Sequence, residues 1–196
     1  RIKEIRRALG DDGARQHTIR NVPGRGYRFV AELEVEGTTE RPAGAARLIG
    51  RDDEMAELLA ALTCSPVVTL TGPGGVGKST LARAVAERAA HSYADGVRVV
   101  ELSALDGGEQ VLPALARAVD VVLDVDQPER AMRTIAGLEV LLVLDNCEHV
   151  IDDVGSLVDR LTDVAGVRLG VLATSRVRLG LGGESVVEIH TLSAAR

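Results

Sequence analysis

Gly72-Pro73-Gly74-Gly75-Val76-Gly77-Lys78-Ser79 fits the pattern G-x-x-x-x-G-K-[ST]. It follows a short aliphatic run, Val67 to Thr71, and opens an amphipathic one from Lys78 to about Ala90, which is the strand, loop and helix context the pattern requires. Glycines let successive backbone N–H groups turn into one cavity, where they and the positive end of the following helix cradle phosphates. Gly72, Gly74, Gly75, Val76 and Gly77 are therefore expected to line a phosphate site for ATP or ADP. Lys78 would reach the β- and γ-phosphates, Ser79 would offer its hydroxyl to Mg²⁺, and Thr80 would reach the α-phosphate. Lysine is rare in this chain: of 23 basic residues only Lys3 and Lys78 are lysines.

A phosphate loop needs a second anchor for its metal at the end of a neighbouring apolar strand, and Val140-Leu141-Leu142-Val143-Leu144-Asp145 supplies one. Asp145 is expected to hold Mg²⁺ through water. Where hydrolysing proteins with such loops often carry an acidic residue next, this chain has Asn146, whose neutral amide cannot act as a base. Glu148 is the nearest carboxylate and the candidate catalytic helper, its alternative being a solvated or capping role; His149 reads as structural. At most slow ATP hydrolysis follows. Thr174-Ser175-Arg176 stands directly after an aliphatic run, Val167 to Ala173. Residues just past strand ends face the ligand crevice of a parallel sheet, so this polar pair and Arg176 are expected to sense a γ-phosphate.

The elements that must position these residues alternate along the chain. Asp52 to Leu62 has Met55, Leu58, Leu59 and Leu62 on one helical face, and the strand Val67 to Thr71 follows. After the helix at Lys78 come a strand at Val97 to Leu102 and helices near Gln110 to Val119 and Pro128 to Ala136. Strand Val140 to Leu144, helix Val150 to Leu161 and strand Val167 to Ala173 complete the series. Continuous aliphatic strands between amphipathic helices imply an α/β fold, a parallel sheet with helices on both faces.

The 196 residues suffice for one full domain and part of another, and 45% apolar with 27% charged residues is the balance of a soluble globular protein. No run approaches the roughly 18 to 20 apolar residues of a membrane span, and the opening lacks the apolar stretch of a signal peptide, so a cytoplasmic protein without a membrane partner is expected. Cys64 and Cys147 lack metal or disulfide spacing and are expected to fill core space.

The net charge of −6 hides an asymmetry. Residues 1–30 carry eight basic and three acidic side chains, a net +5, while residues 31–196 carry fifteen and twenty-six, a net −11. In the basic piece Ile2, Ile5, Ala8 and Leu9 share a helical face that Gly10 ends, and no capping signal precedes Ile2, so the helix reads as the remnant of a longer one. Ile19 and Val22 before Pro23-Gly24-Arg25-Gly26, with Tyr27 and Phe29 after it, signal a hairpin. Residues 36–46 have no apolar periodicity and read as a linker between a piece at 1–35 and a domain at 47–196.

With these motifs in order, residues 1–30 resemble the C-terminal part of an OmpR/PhoB-type winged-helix DNA-binding domain, on the strength of Gly24-Arg25-Gly26-Tyr27-Arg28-Phe29. The resemblance makes the first helix the end of a recognition helix, with Lys3, Arg6 and Arg7 facing DNA and Arg25 at the wing tip; the leading strands and first helices of that domain are absent. Residues 47–196 resemble the nucleotide-binding core of the signal-transduction ATPases with numerous domains, the STAND class related to NB-ARC, especially those attached to regulators of the AfsR and LuxR kind. Leu48-Ile49-Gly50-Arg51-Asp52-Asp53-Glu54, the stretch from Leu141 to Val150 and Ala173-Thr174-Ser175-Arg176 carry it. It implies a transcriptional regulator switched between ADP-bound rest and ATP-bound activity, with Ile49, Gly50 and Arg51 contacting the nucleotide. DNA and a second copy, met in a nucleotide-dependent way, are the implied partners, with Arg130, Arg133 and Arg176 available to a neighbouring subunit. The chain stops before that class's helical lid. The other readings are a P-loop ATPase that turns ATP over productively and a truncated, non-functional remnant.

Overall fold

A computed structural model describes residues 2–11, 18–22, 26–29, 50–124, 126–165 and 169–191. The chain divides into two units, Arg1–Ala43 and Gly44–Arg196. In the first, α1 (Ile2–Ala8) precedes an antiparallel hairpin of β1 (Ile19–Val22) and β2 (Gly26–Phe29), in which Ile19 pairs with Phe29 and Val22 with Gly26. The apolar face expected of α1 is open: Ile5 is 49% and Leu9 45% exposed. Asp11, by contrast, is buried, and its carboxylate accepts the backbone N–H of Ile19 at 2.8 Å.

The second unit is the predicted alternation. Its elements are α2 (Asp52–Cys64), β3 (Val67–Thr71), α3 (Lys78–Ala89), β4 (Val97–Glu101), α4 (Val111–Ala118), α5 (Pro128–Ala136), β5 (Leu141–Asp145), α6 (Ile151–Val164), β6 (Gly170–Ser175) and β7 (Ser185–Glu188). The five strands from β3 to β7 form one parallel sheet in the order β4-β5-β6-β3-β7. Side chains alternate across it, because successive residues of a strand point to opposite faces. Leu141 and Val143 of β5 join Leu58, Leu81 and Val85 of α2 and α3 on one face. Leu142 and Leu144 join Leu115, Ile135, Val154 and Leu161 of α4, α5 and α6 on the other. Each such side chain, fully withdrawn from water, contributes about 1.5–3 kcal/mol.

Local chemistry ends the elements where the sheet needs them to end. Ser65 precedes Pro66, whose ring excludes the helical conformation at the residue before it, so α2 stops and the chain enters β3 extended. Pro128 lies in the first turn of α5, where its missing N–H costs nothing. The register then aligns strand ends: Thr71 pairs with Ser175 and with Glu188, and Glu101 with Asp145. One edge of the sheet thus gathers Thr71, Asp145 and Ser175 beside the loop that begins at Gly72.

Three expectations change. Val167 and Arg168 lie outside the described residues; β6 spans Gly170–Ser175 and so runs past Ala173, which makes Thr174 and Ser175 part of the strand and Arg176 the first residue beyond it. β7 has no counterpart among the expected strands, because only Val187 of its four residues is buried and the pair Val186-Val187 is too short an aliphatic run to signal a strand by itself. Cys64 does not fill core space: it is exposed at the end of α2, whereas Cys147 is fully buried as expected. Burial and the nearby Glu148 and Asp145 charges push the Cys147 thiol up to about 12. Among the described residues no helix is long and apolar enough to cross a membrane.

Candidate functional site

The loop from Gly72 to Gly77 joins β3 to α3 and bends as its glycines predict. Gly72, Gly75 and Gly77 have φ of 150°, 75° and 99°, a region that a side chain makes costly. Lys78, the first residue of α3, is buried and folds its ammonium back over the loop, donating to the carbonyls of Gly72 at 2.8 Å and Pro73 at 3.0 Å. A buried ammonium needs such acceptors. Thr80 lies exposed one residue beyond Ser79.

Ser79 meets the end of β5. Its hydroxyl donates to Asp145 Oδ1 at 2.7 Å, and Thr174 of β6 donates to the same oxygen at 2.6 Å. Thr174 Oγ1 in turn accepts the backbone N–H of Asn146 at 2.9 Å. Asn146 sits at φ 67°, a left-handed conformation that asparagine tolerates better than most residues, which supplies a backbone reason for its presence after Asp145. The other Asp145 oxygen faces Arg83 of α3 at 3.7 Å, a neighbour that sequence reasoning missed. Ser79 and Asp145 together offer a hydroxyl and a carboxylate oxygen, hard donors suited to Mg²⁺. No group of three or more His, Cys, Asp or Glu side chains converges among the described residues, so a metal held here would take its remaining ligands from phosphate and water.

Arg176 lies over the same loop: a Cβ built on Gly74 would stand 3.3 Å from Arg176 Nη2. Its Nε pairs with Glu148 Oε1 at 3.4 Å, while Glu148 Oε2 is buried with no hydrogen-bond partner. Arg176 and Glu148, distant in sequence, are thus brought together above the phosphate loop. The polar pair expected to act with Arg176 faces inward instead, since Thr174 and Ser175 are 1% and 0% exposed and Thr174 is engaged with Asp145. His149 contacts the Leu105 carbonyl at 3.2 Å through a ring nitrogen, consistent with a structural place.

Arg51, expected to contact the nucleotide, stands beside the phosphate loop and braces it. It is buried, and its guanidinium donates to Glu54 Oε1 at 2.7 Å, to the phosphate-loop carbonyl of Val76 at 3.2 Å and to the carbonyl of His190, just past β7, at 2.7 Å. The Arg51 hydrogen bond holds the Glu54 carboxyl below its usual range. Gly50 is exposed at φ 75° beside it, and Ile49 lies outside the described residues.

In the N-terminal unit Lys3 and Arg7 are exposed on α1. Arg6 is turned inward, donating to the Ile19 carbonyl at 2.9 Å, lying 3.9 Å from Asp11 and stacking 5.6 Å from the Tyr27 ring centre. It joins the helix to the hairpin. Arg25 and the linker at 36–46 lie outside the described residues.

Residues 47–173 match the family model described as an AAA ATPase domain. An uncharacterised protein of Mycobacterium tuberculosis is 34% identical over 149 residues, which are 74% of this chain and 37% of that protein, so the chain spans little more than a third of that relative. A Mycobacterium tuberculosis protein named as a putative HTH-type transcriptional regulator is 38% identical over 139 residues, 68% of this chain and 15% of its own length. The regulatory protein AfsR of Streptomyces griseus is 31% identical over 168 residues, 78% of this chain and 17% of its own. Among solved structures, Cdc6p of Pyrobaculum aerophilum superposes with a TM-score of 0.56 at 18% identity over 69% of this chain and 41% of that one. A signal-transduction ATPase with numerous domains and a tetratricopeptide repeat sensor, from Pyrococcus horikoshii, gives 0.50 at 17% identity over 72% of this chain and 23% of that one. At these identities the likeness to the two structures is one of fold.

Proposed function

The chain belongs to the AAA ATPase domain family, and on that premise we propose that residues 47–196 are the ATP/ADP-binding switch of a transcriptional regulator whose DNA-binding part includes residues 1–35. The carrying observation is the junction of phosphate loop and strand end, where Ser79 and Thr174 both donate to Asp145 beside the folded-back Lys78. On arrival of a nucleotide, Lys78 exchanges the Gly72 and Pro73 carbonyls for phosphate oxygens. The loop N–H groups from Gly74 to Lys78 line the cradle, with Thr80 at the α-phosphate. Ser79 and Asp145 hold Mg²⁺, which when bound neutralises phosphate charge. Arg176 reaches for the γ-phosphate and so distinguishes ATP from ADP.

A switch suits the site better than rapid turnover. Asn146 brings no base, and Glu148, the carboxylate at hand, is held by Arg176. The regulator part of the proposal is supported by the names of relatives, one called HTH-type and one AfsR, and by the basic helix and hairpin before the linker. Lys3 and Arg7 remain open for DNA phosphates, Arg25 is assigned to the wing, and Arg6 contributes by holding the helix to the hairpin.

The test is to denature the purified chain, chromatograph any released nucleotide and titrate Mg-ATP and Mg-ADP into the wild type and Lys78→Ala. Loss of a charged hydrogen-bond donor predicts at least roughly tenfold weaker binding in the variant. Equal binding by both proteins overturns the assignment. Steady-state turnover well above about one per second, the low end of ordinary enzyme rates, would make the chain a productive ATPase.

A further inference from the structure

The chain from Arg176 to Glu184 leaves β6 at the phosphate loop and returns to β7, and it closes on one carboxylate. Glu184 Oε1 accepts the backbone N–H of Leu179 at 2.8 Å, and Oε2 accepts those of Gly180 at 2.8 Å and Leu181 at 3.2 Å. Three successive N–H groups converging on one anion make a nest of the kind that elsewhere holds phosphate. Here the chain's own side chain fills it. Gly180, at φ 81°, provides the left-handed step that turns the N–H groups inward.

This closed turn is fixed to the body of the domain. Leu179 and Leu181 pack against the core cluster that includes α6. The helix offers Gly155 at the contact, where an added Cβ would approach the Leu179 carbonyl at 3.2 Å. Behind the turn, Ser65 donates to the Gly183 carbonyl at 2.8 Å. On the other side of Arg176, Ser175 is wholly buried in β6 and its hydroxyl accepts the Val177 N–H at 3.3 Å. Arg176, Val177 and Arg178 therefore form a short tether between two anchored points. A tether of three residues cannot wander far, and its first side chain lies over Gly74.

We infer that Glu184 is a positioning residue for Arg176: by closing the 179–181 turn it holds the arginine over the phosphate loop and so sets the preference of the site for ATP over ADP. The inference rests on the reading of Arg176 as the γ-phosphate contact. Without the carboxylate three N–H groups lose their common acceptor, the turn loosens, and Arg176 is presented over a wider range of positions. ADP binding, which needs no contact beyond the β-phosphate, does not depend on that presentation.

The experiment measures the affinities of a non-hydrolysable ATP analogue and of ADP, both with Mg²⁺, for the wild-type chain, Arg176→Ala, Glu184→Ala and Glu184→Gln. In the expected result both Glu184 variants and Arg176→Ala lower the ATP-to-ADP affinity ratio by roughly five- to tenfold, and the Glu184 variants bind ADP as the wild type does. If Arg176→Ala lowers the ratio and the Glu184 variants keep it, the inference is overturned and the role of Arg176 stands. An unchanged ratio in Arg176→Ala overturns the γ-phosphate reading and the inference with it. Should the Glu184 variants fail to fold, amide hydrogen exchange of the wild type decides. Slow exchange at Leu179, Gly180 and Leu181, with slower exchange still at Val177 when the ATP analogue is bound, supports the coupling; protection of the turn with no response at Val177 overturns it.

Discussion

Arg51 shows how many segments a single side chain can join. Its guanidinium binds Glu54 of α2, the Val76 carbonyl of the phosphate loop and the His190 carbonyl past β7. A buried guanidinium requires such partners, and the fork geometry of arginine allows one side chain to bind three acceptors on separate segments. Glu54 completes the arrangement, and its lowered pKa sets a pH dependence. A carboxyl with a folded-state pKa below the unfolded one contributes stability that is present above the ordinary value of 4.5 and lost as pH falls through the lowered folded value. Glu54→Gln is therefore expected to cost about 1 kcal/mol at neutral pH, with the gap to the wild type closing in acid. Urea unfolding of both proteins from pH 7 downward measures it, and a gap independent of pH would refute the ion-pair account.

At the scale of elements, β7 illustrates why some segments escape sequence reading. A strand at the edge of a sheet can be short and polar, because one side of it faces solvent. Ser185–Glu188 buries only Val187, and its membership depends on pairing with β3, more than a hundred residues earlier. Its consequence reaches the site. Ile189 donates to the Thr71 carbonyl at 2.8 Å, and a Cβ on Gly72 would overlap the Ile189 carbonyl. Gly72→Ala should therefore destabilise the domain by about 1–3 kcal/mol through backbone conformation and overlap together. Gly75→Ala meets no atom within 4 Å and carries only its left-handed backbone, about 1 kcal/mol. Thermal unfolding of the two variants checks the order, and equal midpoints would show that the exit of β7 does not press on the loop.

The whole molecule is two units of unequal substance. The larger has apolar clusters on both faces of its sheet. The smaller leaves Ile5, Leu9 and Tyr27 exposed among its described residues, and pieces of about 40 residues seldom bury enough surface to fold cooperatively alone. A ligand that binds only the folded state stabilises it by mass action, so Mg-ATP at a hundred times its dissociation constant should add about 2.7 kcal/mol to the unfolding of the larger unit. Calorimetry with and without Mg-ATP is expected to show one cooperative transition that moves, while hydrogen exchange in residues 2–11 and 18–22 stays fast in both. A transition indifferent to nucleotide would count against the switch.

Much of the site could be read from residues alone because its signals are local. The phosphate loop announces itself by glycines that must take positive φ and by the lysine that follows, and Asp145 by the aliphatic strand it ends. These depend on neighbours in sequence, as do the alternation of strands and helices and the sheet it implies. The partners of those residues are another matter. That Thr174 turns to Asp145, that Arg176 meets Glu148 over Gly74 and that Arg51 binds the exit of β7 all follow from the strand order β4-β5-β6-β3-β7. Strand order is set by the mutual burial of two sheet faces among segments far apart in the chain, and no local pattern of residues encodes it.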